Sequence, residues 1–353
     1  MTFDLSDLAE FGWNAFFTSQ LETTDFALTI PVRVMAVHRG AIQVAGPNID
    51  TSIPTFVADV EDEEAISTVG DWLLLERDTL RVHRLLSRNC LFKRRAAGTG
   101  RKLQLIAANI DTLFIVTSCN QDFNIARLER YLAMSQEATV TPVIVLTKAD
   151  LAEQTDEYMN AAAKLLPNLI VEVIDARSEN DVTRLAPWCT GGQTVALVGS
   201  SGVGKSTLIN TLTGNAYITT KGIREDDAKG RHTTTGRVLH RLPAGGWLLD
   251  TPGMRELQLT DVRSGLDDVF ADIVALAENC RFNSCRHETE PDCAVQQAAS
   301  SGELNPERLN RWRKLVAEEA YNSASLTERK SRDKAFGKMV KRVIKNKKQR
   351  QEE

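Results

Sequence analysis

The run Gly199-Ser200-Ser201-Gly202-Val203-Gly204-Lys205-Ser206-Thr207 has the residue types and spacing that wrap a polyphosphate. Gly199 and Gly204, with four residues between them, let successive backbone N–H groups turn toward the phosphates. A helix starting at Lys205 adds partial positive charge at its N-terminus. Lys205 is expected to reach the β- and γ-phosphates, and Ser206 to bind Mg²⁺. Average residue frequencies give such a match in roughly one chain in a hundred of this size, so this loop carries the most weight.

Thr147-Lys148-Ala149-Asp150 has a carboxylate that can accept two hydrogen bonds from guanine, one from the ring N–H and one from the exocyclic amine. Adenine offers no such pair, so Asp150 favours GTP over ATP, and Lys148 is expected to pack along the base. This pattern arises by chance in roughly one chain in eight, so it gains its meaning beside the loop. It lies about fifty residues before the loop, the reverse of the usual GTPase order. The order reads as a circular permutation.

Downstream, Gly230-Arg231-His232-Thr233-Thr234-Thr235 is a candidate switch. A switch needs a Thr hydroxyl to complete the Mg²⁺ shell when the γ-phosphate is present, and Thr234 or Thr235 takes that role. Asp250-Thr251-Pro252-Gly253 follows an apolar strand, so Asp250 is read as the metal-side carboxylate, through water, and Gly253 as the γ-phosphate sensor. The second Asp-x-x-Gly, starting at Asp227, sits in a polar stretch and reads as loop. Met254 stands where many GTPases place a water-orienting Gln, and a thioether cannot orient water. Intrinsic hydrolysis should therefore be slow unless another group acts; His232, titratable near neutrality, is the candidate. The expected catalytic set is Lys205, His232, Thr234, Asp250 and Gly253.

Cys280, Cys285, His287 and Cys293 put three thiolates and an imidazole within fourteen residues. Four soft ligands suit a tetrahedral zinc ion with no position open for chemistry, so one structural Zn²⁺ is expected. Cys90, Cys119 and Cys189 are scattered among apolar residues and read as buried free thiols.

The elements that must position these groups follow from the apolar pattern. Residues 1–26 read as a short acidic helical arm anchored by Phe11, Trp13, Phe16 and Phe17. Short strands follow at 27–37, 41–45, 53–57, 72–76 and 81–86, suggesting a small barrel. The basic, glycine-containing stretch 93–102 reads as a connector. Buried parallel strands are then expected at 112–117, 142–146, 169–174, 194–198 and 247–249, with helices at 125–137 and 155–166 between them. Beyond Gly253 the chain turns mostly helical around the cysteines. Gly253 runs almost directly into this part, so the switch is expected to move it.

The chain has 353 residues, enough for two or three domains, and a formal net charge of −4. From Thr327 to Glu353 eleven Lys/Arg face four Asp/Glu, so this tail is +7 and the rest of the chain −11. Such asymmetry suggests a nucleic-acid partner for the basic end. No run of eighteen apolar residues exists and Met1-Thr2-Phe3-Asp4 does not open a secretory leader, so a cytoplasmic protein with no membrane partner is expected.

Guanine motif, phosphate loop, Thr-rich switch, Asp-Thr-Pro-Gly and Cys-Cys-His-Cys cluster, in that order behind a small barrel, closely resemble the ribosome small-subunit-dependent GTPase A (RsgA) family. The resemblance covers about residues 10–320. It implies a multidomain α/β chain: an arm (1–26), an OB-fold RNA-binding domain (27–98), a circularly permuted P-loop G domain (99–257), a helical zinc-binding domain (258–326) and a basic tail (327–353). It also implies GTP hydrolysis stimulated by the 30S ribosomal subunit during its late maturation, contact with 16S rRNA, and a monomer. The alternatives are a GTP-dependent RNA-binding regulator with a non-ribosomal activator, and a zinc-stabilised adaptor whose nucleotide site is degenerate; intact Lys205, Ser206 and Asp250 argue against the second. Two positions depart from related GTPases. Asp175-Ala176-Arg177-Ser178 stands where a Ser-Ala base-contact motif is expected, and Gly202 replaces an Asn that helps some relatives hold potassium.

Overall fold

The computed structural model describes residues 5–59, 61–95, 103–214, 237–250 and 259–323. The switch residues 230–235, Asp227, Gly253, Met254, the middle of the basic connector and the C-terminal tail lie outside the described residues.

Three short helices open the chain: α1 (Leu5–Ala9), α2 (Ala15–Thr18) and α3 (Thr23–Leu28). Trp13 and Phe17 are buried against Trp72, Leu74 and Leu86, with the Trp13 ring edge-on to Trp72 at 4.8 Å. Phe11 is half-buried and stacks on Trp247 at 5.8 Å. Phe16, expected as a fourth anchor, is instead exposed, because the short α2 turns only Phe17 inward.

Five antiparallel strands follow: β1 (Thr29–His38), β2 (Ala41–Gly46), β3 (Ile49–Pro54), β4 (Trp72–Glu76) and β5 (Val82–Leu85). They pair in the order β3-β2-β1-β4-β5 around Val32, Val34, Ile42, Val44, Ile53, Leu73 and Leu75. The third strand starts four residues earlier than its apolar run. Asn48 takes the left-handed conformation that closes the hairpin, and the strand then alternates half-buried Ile49 and Thr51 with exposed Asp50 and Ser52. The stretch read as a connector is, at its flanks, a hairpin: β6 (Leu91–Arg95) pairs with β7 (Leu103–Ala108).

The α/β part comprises β8 (Thr112–Ser118), α4 (Ile125–Glu137), β9 (Thr141–Thr147), α5 (Thr155–Ala163), β10 (Ile170–Val173), α6 (Glu179–Val182), β11 (Thr194–Val198), α7 (Lys205–Thr213), β12 (Arg237–Arg241) and β13 (Trp247–Asp250). β10, β9, β8, β11 and β13 are parallel neighbours; the inner four are largely buried, as continuous apolar runs require, while β10 is a partly exposed edge. β12, which the apolar pattern does not reveal, lies antiparallel beside β13 and pairs Ala36 with Val238 and Val37 with Arg237. One sheet therefore runs from the guanine-motif side into the N-terminal strands.

Arg33 sits at that seam, almost wholly buried. Its guanidinium donates to the carbonyls of Phe11 (2.5 Å) and Asn109 (3.1 Å) and to the Thr194 hydroxyl (2.8 Å). Burial lowers its pKa to about 10, against the pull of Asp111, so it remains charged at neutral pH.

Residues 259–323 carry four helices: α8 (Arg263–Val269), α9 (Ala271–Ala277), α10 (Ala294–Ser301) and α11 (Pro306–Ser323). Its apolar side is continuous with the core under α4. α8 approaches α4 so closely that a Cβ on Gly265 would lie 2.0 Å from the Ala133 carbonyl oxygen, so only glycine fits there.

Candidate nucleotide and zinc sites

β11 delivers the loop and α7 receives it, so the strand-turn-helix context that the motif requires is present. Gly199 has φ +143°, and a Cβ there would meet the Val116 carbonyl oxygen at 2.1 Å. The loop therefore leaves the sheet pressed against β8, a path open only to glycine. Gly204, left-handed at φ 94°, caps the nine-residue α7. Lys205 is buried, and its ammonium donates to the carbonyls of Gly199 (2.7 Å) and Ser200. The ammonium is thus held within the loop that must receive the phosphates. Ser206 is half-buried one residue further on.

The guanine motif meets this loop directly. The Thr147 hydroxyl lies 2.5 Å from the Val203 carbonyl and 3.2 Å from that of Thr117. Its single proton goes to the nearer oxygen, tying the end of β9 to the loop. Lys148 adopts the left-handed conformation, φ 58°, and turns the chain into the short 3₁₀ segment Ala149–Leu151 that carries Asp150. Both motifs lie at the C-terminal ends of parallel strands, where open α/β sheets bind ligands.

Asp175-Ala176-Arg177-Ser178 lies beside Asp150, after β10. Arg177 Nη2 is 2.5 Å from Asp150 Oδ2 and 3.1 Å from Asp175 Oδ2. The hydrogen bond from the Arg177 side chain holds the Asp175 carboxyl below its ordinary range. Asp250 ends β13, one strand over from the loop, and is half-buried opposite Val238. Ser206 and Asp250 carry hard oxygen donors, the kind that Mg²⁺ takes. His232, Thr234 and Gly253 lie outside the described residues.

Two arginines in this neighbourhood make contacts that the sequence does not show. Arg127, in the first turn of α4, donates to the Ser200 hydroxyl in the loop. Arg177 reaches Asp150 across 27 residues of chain. Arg127 belongs to no fixed-spacing pattern and Arg177 stands where a Ser-Ala base-contact motif is expected; tertiary packing brings each to its partner.

The ligand atoms of Cys280, Cys285, His287 and Cys293 all lie within 4.8 Å of one another. Cys280 Sγ is 3.8 Å from Cys293 Sγ and 3.5 Å from His287 Nδ1, and Cys293 Sγ is 3.4 Å from His287 Nδ1. A tetrahedron built on ordinary Zn–S and Zn–N bonds has S–S edges of about 3.8 Å and S–N edges of about 3.6 Å. The four side chains therefore fit a zinc ion. Burial lowers the His287 pKa, which favours the neutral ring that a metal ligand needs. The His287 ring lies 5.5 Å from Trp312, so the cluster packs directly on α11.

Residues 85–260 match the model of the RsgA GTPase family. The small ribosomal subunit biogenesis GTPase RsgA 2 of Vibrio parahaemolyticus is 48% identical over 98% of this chain and 95% of its own length. The small ribosomal subunit biogenesis GTPase RsgA of Mesorhizobium japonicum is 52% identical over 90% of this chain and 91% of its own. Among solved structures, YjeQ from Thermotoga maritima superposes with a TM-score of 0.59 at 20% identity, over 82% of this chain and 98% of that one. YloQ, a circularly permuted GTPase, superposes at 0.55 and 22% identity, over 86% and 96%. These two likenesses establish the fold, a circularly permuted GTPase with a mixed α/β sheet.

Proposed function

The chain belongs to the RsgA GTPase family, and from that premise we propose that it hydrolyses GTP to GDP and phosphate on the 30S ribosomal subunit, in the late maturation of that subunit. The ribosomal part of this reading is supported by the relatives' names, and the GTP site by the Thr147–Val203 hydrogen bond, which ties the base-reading motif to the phosphate loop. Base and phosphates of one nucleotide are then read by a single connected surface.

In this reading Asp150 accepts both guanine donors and Lys148 lines the base. The backbone N–H groups from Ser200 to Thr207 hold the phosphates. Lys205 leaves the loop carbonyls for the phosphate oxygens, an exchange of partners within the same loop. Ser206 and Thr234 would hold Mg²⁺, with Asp250 as the metal-side carboxylate; the ion would neutralise charge on the phosphates. Gly253 reads the γ-phosphate. His232 orients the attacking water, a task Met254 cannot perform. Gly202 offers no side chain for potassium, so potassium activation by that route is not expected.

The five N-terminal strands act as an OB-type RNA-binding barrel, and 16S rRNA is the partner of the basic segments. A single structural zinc holds the module after residue 258. The protein works as a monomer in the cytoplasm, with the domain limits at 26/27, 98/99, 257/258 and 326/327. Turnover of GTP measured with and without 30S subunits tests the assignment. Strong stimulation by 30S is expected; equal rates would remove the ribosomal role while leaving a GTPase.

A further inference from the structure

The base-reading carboxylate is already engaged. Arg177 Nη2 lies 2.5 Å from Asp150 Oδ2, so one of the two oxygens that guanine requires is held by a guanidinium. The same arginine keeps a second anchor on Asp175. Its Nε is 3.1 Å from Oδ1, its Nη2 is 3.1 Å from Oδ2, and its backbone N–H donates to Oδ1 at 3.0 Å.

The backbone that carries Arg177 is fixed on several sides. The Asp175 N–H donates to Asp181 Oδ2 at 2.9 Å, and the Ser178 hydroxyl caps α6. Thr211 of α7, the helix that begins with Lys205, donates to the Ala176 carbonyl at 2.7 Å. By contrast the Arg177 side chain is 65% exposed. A mobile cation on a fixed loop can leave Asp150 and stay attached to Asp175.

We propose that Arg177 is a specificity-determining residue that occupies the base-reading carboxylate and narrows the preference for guanine over hypoxanthine. This rests on Asp150 reading the base, as argued above. Guanine presents two donors, one to each carboxylate oxygen, so its exocyclic amine competes with Arg177 for Oδ2. Hypoxanthine lacks the exocyclic amine and needs one oxygen, so Arg177 keeps the other. The arginine therefore compensates the weaker base for its missing hydrogen bond and opposes the stronger one. Because the pair is exposed, its effect is modest, about two- to fivefold in affinity ratio.

The test compares GDP and IDP binding to the full chain and to Arg177→Ala by calorimetry. The ratio of the IDP to the GDP dissociation constant should rise about two- to fivefold in the variant. A purely structural Arg177 would shift both nucleotides together; an unchanged or smaller ratio overturns the proposal. Asp150→Asn separates this from the reading beneath it. An amide there should lose guanine and gain xanthine nucleotides, whose C2 carbonyl accepts from it. Should Asp150→Asn switch the base while Arg177→Ala leaves the ratio alone, only the role of Arg177 is wrong. Should Asp150→Asn keep its guanine preference, the base-reading assignment fails and the inference with it.

Discussion

The nucleotide-binding part is joined to its two neighbours by different physics. On the N-terminal side the joint is main chain: β12 pairs with β1, Trp247 Nε1 donates to the Glu10 carbonyl at 2.8 Å, and Arg33 is sealed among backbone acceptors. On the C-terminal side it combines apolar packing with side-chain ions on α4. Glu129, fully buried, accepts from Arg308 and Arg311 of α11, and Arg130 pairs with Glu318. A backbone ladder has one register, so a shift in it moves the strand as a unit. Ion pairs can exchange partners at modest cost, so they suit a contact that is remade as the nucleotide changes. The order of motifs suggests that the switch pulls mainly on the zinc module. The fold adds a second route, because β12 follows the Thr-rich segment and is paired to the N-terminal strands.

The main-chain joint should be the harder one to lose a member from. Arg33→Ala removes a buried cation that satisfies three acceptors from three different parts of the chain. It leaves those acceptors unpaired and opens a cavity beside Trp72. A loss of about 3–5 kcal/mol is expected, read from the urea midpoint. Amide exchange should show α1, β1 and β12 loosening together. A loss comparable to that of a surface substitution would mean that the seam is carried by the β1–β12 ladder alone.

The ionic joint should give less and give locally. Glu129→Gln keeps the volume but sets an amide against two guanidinium groups that are 18% and 21% exposed. Partial solvent access lets those arginines recover hydration, so about 2–3 kcal/mol is expected, below the range for a fully sealed pair. Exchange protection should fall in α11 and remain in β1 and β12. If both regions loosen equally, the two joints are not independent and one cooperative unit spans them.

How much of this was readable beforehand differs between the two joints. The phosphate loop, Thr147–Asp150 and the cysteine cluster are local patterns, because a backbone cradle and a zinc ligand set need residue types at fixed short spacings. Buried parallel strands show as apolar runs, and β11 coincides with its run from Thr194 to Val198. β12 did not show, since Arg237-Val-Leu-His-Arg241 is short, carries a positive charge at each end and is stabilised by strands distant in sequence. β6 was hidden for a related reason: its run of Lys and Arg looks solvated until its pairing partner, the apolar β7, is known. Arg33, Arg127 and Glu129 are ordinary charges in the sequence, and Arg177 stands at the expected base-contact position with no sign of its partner. Their roles arise from contacts across 22 to 182 residues, which no local period encodes.

The smallest expected effect tests whether charge matters at the main-chain joint at all. Arg241 Nη2 and Glu10 Oε2 form an ion pair at 2.8 Å, but the side chains are 45% and 66% exposed. Water screens such a pair, and ordering two long side chains offsets most of its Coulomb gain. Glu10→Ala should therefore change stability by about 0.5 kcal/mol or less. The Glu10 carbonyl still accepts from Trp247, and Phe11 still stacks on that ring, because neither contact uses the carboxylate. Arg241 also retains its position 5.5 Å over the Trp247 ring. Urea midpoints within experimental scatter of wild type are the expected result. A loss above about 1 kcal/mol would place real electrostatic weight at this seam and make the two joints alike in kind, differing only in how deeply their charges are buried.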